Sequence, residues 1–329
     1  MKKVKLDKKD KRILYELDLN ARQPYSLIAK KVGLSQEVVR YRIERLQKNK
    51  VLRGFLTVFG PAQMGYSYHK IYIAFQNISI AKEKALTKFL REHDSVIYLA
   101  SLDGGYDLAF SVKVKDMLEL DKLVSQLDTD YGSYLNKRDV FSYMYVYYFP
   151  REYLAQDQND VRRSKIFGAI AAPKNIDETD DKICRLLSSD ARMPAIKIAA
   201  KIGLSADAII KRIKKLEESG AIRCYITILN NEVLDQFHYK VLLTLKKLAE
   251  DKEKTFIEYC RRHPNVFFFV KTLGPWNYEL DMELKDSDEL RKIMREMKAK
   301  FSDVVMDYQA LIVYKIHKYN ILGQDHLDA

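Results

Sequence analysis

Between positions 6 and 50 the apolar residues recur at helical spacing in three short runs. Ile13, Leu14 and Leu17 share one face of the first, Leu27, Ile28 and Val32 one face of the second, and Val39, Ile43 and Leu46 one face of the third. Asp7 suits an N-cap, with Asp10 adding negative charge to the first turn. Pro24 opens the second run, Gly33 permits a sharp turn after it, and Ser35 caps the third. Helix, helix, glycine-containing turn, helix is a helix-turn-helix pattern. Residues 51–59 then read as a strand. Strands follow at 69–76, 95–102, 106–114 and 138–148, with helices at 82–92 and 116–128. In the third of these strands Leu108, Phe110 and Val112 alternate onto one face. The order βαββαβ is that of a ferredoxin-like domain, whose sheet carries helices on one face only.

Shifted by 170 positions, the chain overlays itself without a gap. Asp7, Asp10, Ile13 and Leu17 meet Asp177, Asp180, Ile183 and Leu187; Ala21-Arg22-x-Pro24 meets Ala191-Arg192-x-Pro194; Gly33-Leu34-Ser35 meets Gly203-Leu204-Ser205. Over residues 6–53 there are 17 identities in 48 positions, too many for a chance register. The second copy repeats the strand at 221–229, strands at 239–246, 265–272, 276–284 and 308–316, and helices at 252–262 and 286–300. The expected fold is therefore α+β: a winged-type helix-turn-helix plus a ferredoxin-like domain, twice in tandem. The boundaries fall at 1–60, 61–149, a polar proline-bracketed linker at 150–175, 176–230 and 231–329. The helix-free sheet faces, with Tyr143, Tyr145, Tyr147, Ile312 and Tyr314, are expected to pair with each other.

Charge narrows the function. The net charge is +12, and residues 1–60 alone carry 16 Lys+Arg against 6 Asp+Glu. The second head, 176–230, holds 10 against 8, and the two sheet domains are nearly neutral. Concentrated basicity on one small domain is the footprint of phosphate neutralisation. Three cysteines, Cys184, Cys224 and Cys260, fit neither a disulfide framework nor a metal site, and point to a reducing cytoplasm. The basic N-terminus lacks the apolar run of a signal peptide. There is no P-loop, dinucleotide fingerprint or metal-ligand spacing, so no cofactor is expected.

The candidate DNA contacts follow from the third helix of each head and its surroundings. They are Arg22, Tyr25, Ser35, Gln36, Glu37, Val38, Arg40, Tyr41, Arg45 and Arg53 in the first copy, and Ser205, Lys211 and Lys214 in the second. Gln can read adenine and Arg guanine in a major groove. Ala206 and Asp207 stand where Gln36 and Glu37 do, so the first head should dominate. Arg42 and Arg212 fit either a phosphate contact or an ion pair to a first-helix Asp. Lys50 replaces the Gly220 of the second copy, so the helix end is less sharply specified. His93 and His263 follow helices and suit capping better than catalysis.

These spaced residues, from Leu6-Asp7-x-x-Asp10 through Arg42-Ile43-x-x-Leu46, with their second occurrence from Ile176, resemble the leucine-responsive/asparagine-regulator (Lrp/AsnC) transcription factors. The resemblance implies a regulator of transcription, sheet domains that dimerise and sense amino-acid-like effectors, and homo-oligomers. Two fused units imply a dimer within one chain. It also implies an effector role for the loop Asp103, Gly104, Gly105, Tyr106 and Asp107, and for Gly274, Trp276 and Asn277 in the second copy. Other readings stay open: a sirohaem-decarboxylase-like enzyme of the same fold family, or a sensor acting through a protein partner without DNA.

Overall fold

The computed structural model describes residues 4–155, 165–168, 176–246 and 249–322, the stretch 165–168 by its backbone. Most of the expected linker, and the tail with His326, lie outside the described residues.

The first head consists of α1 (Lys8–Leu19), α2 (Tyr25–Val32) and α3 (Gln36–Lys48). Each signal read from the sequence has a structural counterpart. Asp7 caps α1 in a reciprocal box with Asp10, and the Ser35 hydroxyl accepts from the Val38 amide. Gly33 sits at φ 65°, which an L side chain resists. Lys50 adopts the same left-handed backbone, φ 55°, as Gly220 does at 76°. The helix end is thus as sharp as in the second copy, at a strain cost that glycine would avoid. The strand β1 (Leu52–Phe59) leaves this head.

The first sheet domain comprises β2 (Ser67–Phe75), α4 (Ile80–Glu92), β3 (Val96–Asp103), β4 (Leu108–Val114), α5 (Met117–Tyr131) and β5 (Leu135–Tyr148). A short β6 (Lys165–Gly168) pairs with the end of β5. The second unit repeats the order: α6 (Glu178–Ser189), α7 (Ala195–Ile202), α8 (Ala206–Glu218), β7 (Ile222–Leu229), a single turn α9 (Asn231–Leu234), β8 (Phe237–Leu245), α10 (Glu250–Arg262), β9 (Val266–Leu273), β10 (Tyr278–Leu284), α11 (Ser287–Lys300) and β11 (Val305–Tyr319).

The halves are interlocked. The strand after each head pairs with its counterpart in the other unit, β1 antiparallel to β7, rather than forming a wing of its own. The two sheets also merge. Long β5 pairs with β2 along Leu135–Ser142 and crosses to β9 along Ser142–Tyr148. Long β11 likewise pairs with β8 and then with β3. The result is a closed ring, β2-β4-β3-β11-β8-β10-β9-β5 and back to β2. Closure leaves these strands no free edge. Helices α4 and α5 cover one outer side of the barrel through Leu86, Leu90, Leu120, Leu123 and Leu127; α10 and α11 cover the other through Phe256, Cys260, Ile293, Met294 and Met297.

The crossing corrects one expectation. Tyr143, Tyr145, Tyr147, Ile312 and Tyr314 do not share an interface. Irregular pairing between Tyr143 and Tyr145, and between Val313 and Lys315, resets the side-chain alternation. Tyr143 faces the barrel interior, Tyr147 and Ile312 pack toward α10 and α11, and Tyr314 is 78% exposed.

Candidate functional site

On α3 the buried stripe Val39, Ile43 and Leu46 fixes which way the helix faces. Gln36, Glu37, Val38, Arg40 and Tyr41 are therefore solvent-exposed together, Tyr41 to 64%. Arg40 makes a loose exposed pair with Glu44 at 3.7 Å, which a phosphate or base could replace. Glu37 is held below the usual carboxylate range by backbone and Ser35 hydrogen bonds at the helix start. Arg53, on β1, is exposed as well. On α8 the same positions show half-buried Ala206, exposed Asp207, Ile210 at 54%, Lys211 and Lys214. That face offers lysines for phosphates and little to read a base edge.

Other candidates have structural work. Arg42 donates to Asp7 at 2.7 Å and to Asp10 at 2.8 Å; Arg212 repeats this with Asp177 and Asp180, both at 2.7 Å. Arg45 closes on the far oxygen of Asp10 at 2.6 Å. Arg45, expected at DNA, is thus half-buried and shares Asp10 with Arg42. Arg22, also expected at DNA, has partners in the protein too. Its guanidinium donates to the carbonyls of Ala191 and Met193 in the other head, at 2.7 and 2.9 Å. Arg192 returns the contact to Ala21 and to Gln23, the latter at 3.1 Å, and lies over the ring of Tyr25, 4.5 Å from its centroid. Arg22, Arg192 and Tyr25 thus join the two heads. Ser35 and Ser205 serve as N-caps.

The ribbon β1–β7 ties each head to the opposite unit. The Thr57 hydroxyl donates to the Leu187 carbonyl at 2.6 Å, and the Thr227 hydroxyl to Asp18 at 2.5 Å. Below the ribbon sits a charged interior that the sequence reading missed. On β10, Leu280, Met282 and Leu284 point to the helices, and Glu279, Asp281 and Glu283 point inward. Glu279 accepts from Lys70 at 2.5 Å, Lys240 at 2.8 Å and the Tyr72 hydroxyl at 2.7 Å. Asp281 pairs with Lys240 and lies 2.6 Å from His238 Nε2. Burial pushes Lys240 down, but two carboxylates outweigh it and hold the ammonium protonated; burial of Lys70, opposed chiefly by Glu279, leaves it at about 8. Arg151, from the expected linker, is buried. It clamps Glu283 at 2.7 and 3.0 Å and Asp18 of α1 at 2.8 Å. A carboxylate at every second residue of β10 was the available signal.

These groups line a cavity of about 130 Å³ between ribbon and barrel. An open cleft of about 470 Å³ lies elsewhere, beside α4, and includes Glu83, Ser101, Asp107, Lys315 and His317. The loop residues expected at an effector site divide. Gly104 and Gly274 let each loop lie on the long strand of the other half; a Cβ at Gly274 would stand 2.9 Å from the Phe141 ring. Asp107 accepts from the Phe75 amide at 2.6 Å, and Asn277 from the Leu245 amide at 2.5 Å, so both close a strand end. Tyr106 is buried and bonded to Asp139, whereas Asp103 and Gly105 are exposed. Trp276 packs at the edge of the barrel core. His93 and His263 stand at the C-caps of α4 and α10, where their backbone N–H groups donate to Phe89 and Cys260, and their rings accept from the amides of Ser95 and Asn265 in the turn to the next strand. No metal-ligand cluster occurs among the described residues.

The profile of the AsnC-type helix-turn-helix domain matches residues 6–47 and 176–217. An uncharacterized HTH-type transcriptional regulator of Pyrococcus furiosus is 31% identical over 119 residues, 36% of this chain and 79% of that protein. The proline dehydrogenase transcriptional activator of Rhodobacter capsulatus is 32% identical over 124 residues, 37% and 79% of the two chains. Each relative therefore spans about one repeat. Over the whole molecule the fold is similar to the sirohaem decarboxylase NirDL: TM-score 0.62, 14% identity, 97% of this chain and 94% of that one.

Proposed function

Since the chain belongs to the AsnC-type helix-turn-helix transcriptional regulators, we propose that it binds double-stranded DNA sequence-specifically, chiefly through α3 of the first head. The observation that carries this is the exposed set Gln36, Arg40 and Tyr41 on the most basic segment of the chain. The second head, locked to the first by Arg22 and Arg192, adds phosphate contacts through Lys211 and Lys214. One chain thus supplies both heads that a regulator dimer would, and larger homo-oligomers would be built from such chains. The test is DNA affinity across salt concentrations. Replacing Gln36, Arg40 and Tyr41 by Ala together should cost at least about 100-fold on the preferred sequence, at a few kcal/mol for base contacts. Replacing Asp207 and Lys211 by Ala should cost about threefold or less and lower the salt slope by about one. Equal losses from both heads would refute the asymmetry.

We also propose that an amino-acid-like effector uses the open cleft beside α4. Glu83 and Asp107 face its ammonium and Lys315 its carboxylate. Amino acids added to the same assay should shift DNA affinity, and Lys315→Ala should remove that response.

The whole-chain likeness to a sirohaem decarboxylase favours a second reading, catalysis on a tetrapyrrole. The inner cavity weighs against it. Tetrapyrroles of this class carry several carboxylates and need unpaired cations and a pocket of several hundred Å³. Here Lys70, Lys240 and Arg151 are already matched to Glu279, Asp281, Glu283 and Asp18. Tight binding of an iron uroporphyrin, seen in its visible spectrum, would revive the enzyme.

A further inference from the structure

The inner cavity lies between the ribbon above and the barrel below. Val58, Ile226, Val146, Phe267 and Val270 make its walls apolar. Its size, about 130 Å³, is close to the roughly 150 Å³ that accommodates a benzene ring. The charged groups at its polar end are committed to one another: Glu279, Asp281 and Glu283 face Lys70, Lys240 and Arg151, His238 lies 2.6 Å from Asp281, and Arg151 also holds Asp18 behind the cavity. No cation is left there for an anionic guest. Two groups are not committed. The hydroxyl of Tyr98, 8% exposed, has no hydrogen-bond partner among the described residues, and the side-chain oxygen of Asn231, which also lines the cavity, has none either. Buried orphans of this kind are costly and point to a missing partner. The Tyr98 ring itself is fixed, with both lysine ammoniums 5.3 Å from its centroid and Tyr319 edge-on at 5.5 Å.

We propose that this cavity is a binding site for a neutral, single-ring molecule bearing one hydroxyl group, which meets the Tyr98 hydroxyl. The ring replaces apolar contacts that the empty wall lacks, and the hydroxyl satisfies the orphan. A charged ring compound would have to be desolvated beside ions that are already paired, and is rejected. Since β1 and β7 form the roof, a bound ring also braces the joint between barrel and heads. The site does not depend on DNA contact and is tested without DNA.

Phenol, toluene and benzoate are titrated into the full chain by calorimetry, with melting followed in parallel. Phenol should bind one per chain, toluene about tenfold more weakly, and benzoate not measurably. Tyr98→Phe should abolish the preference for phenol over toluene while toluene binding stays within about twofold. Val146→Phe, and independently Val270→Phe in case the first fails to fold, should fill the space and remove both. A cavity that holds only water gives no heat and no melting shift with phenol, and the proposal falls. It falls equally if benzoate binds as well as phenol, or if folded filling variants bind unchanged.

Discussion

Arg151 is where three parts of the molecule meet, so its removal should be felt throughout. It lies just after β5, yet its guanidinium holds Asp18 of the first head and Glu283 of the second barrel half. The side chains of Asp18 and Glu283 are 0% and 1% exposed. Arg151→Ala would leave both as buried, uncompensated carboxylates. Breaking a buried pair from one side costs about 3–5 kcal/mol. In a chain of this size that lowers the melting temperature by on the order of 10 °C. The pH dependence sharpens the test. Burial pushes the Glu283 carboxyl up, but Arg151 and the Tyr153 hydroxyl outweigh it and hold the group below its ordinary 4.5. A depressed carboxyl stabilises the fold above that ordinary value and ceases to as pH falls through the lowered one. Without Arg151, burial is opposed only by the Tyr153 hydroxyl and His238, and the carboxyl protonates more readily. The deficit of the variant should therefore be largest near neutral pH and shrink as the pH falls from there towards the lowered value of the wild-type group, because the variant takes up its proton first. A triple variant, Arg151→Met with Asp18→Asn and Glu283→Gln, should recover most of the loss. Denaturant unfolding at pH 7 and pH 4 measures all of this. A loss under about 1 kcal/mol, or one that does not change between the two pH values, would refute the buried-clamp argument.

Lys50→Gly should stabilise the first head by about 1 kcal/mol in thermal melting, because it relieves the left-handed backbone at φ 55°. His317 accepts or donates a hydrogen bond with the Ser101 hydroxyl at 2.8 Å, and burial pushes its imidazole down to about 4. The unfolded chain therefore takes up a proton first as pH falls below the ordinary 6.5, so stability drops between there and 4; His317→Gln should flatten that part of the pH–stability curve.

The local elements were legible in the sequence for definite reasons. Apolar residues at helical spacing, with Asp7, Ser35 and Gly33 at the ends, fix the three head helices through short-range forces alone. The 170-residue self-overlay then fixes their repetition, and the family follows from the same residues. The roles of individual arginines were less accessible. Arg22, Arg40, Arg42, Arg45 and Arg53 are equivalent as cations in a string of residues. Only the position of a buried Asp10 or of a carbonyl in the other head separates them.

By itself, then, the sequence determined what forms locally: the heads, the βαββαβ order, the excess positive charge near the amino end and the exposed face of α3. Tertiary structure alone decided what meets across about 130–210 residues of chain. It closed the two sheets into one barrel, paired β1 with β7, tied Arg22 to carbonyls of the other head and Arg45 to Asp10, and placed Arg151 between Asp18 and Glu283, 133 and 132 residues away. It also placed Lys70 against Glu279, 209 residues apart. Periodicity reports which side of an element is buried, but not which other element buries it. A shift in strand pairing at Tyr143–Tyr145 can even reverse that side without leaving a mark in the pattern.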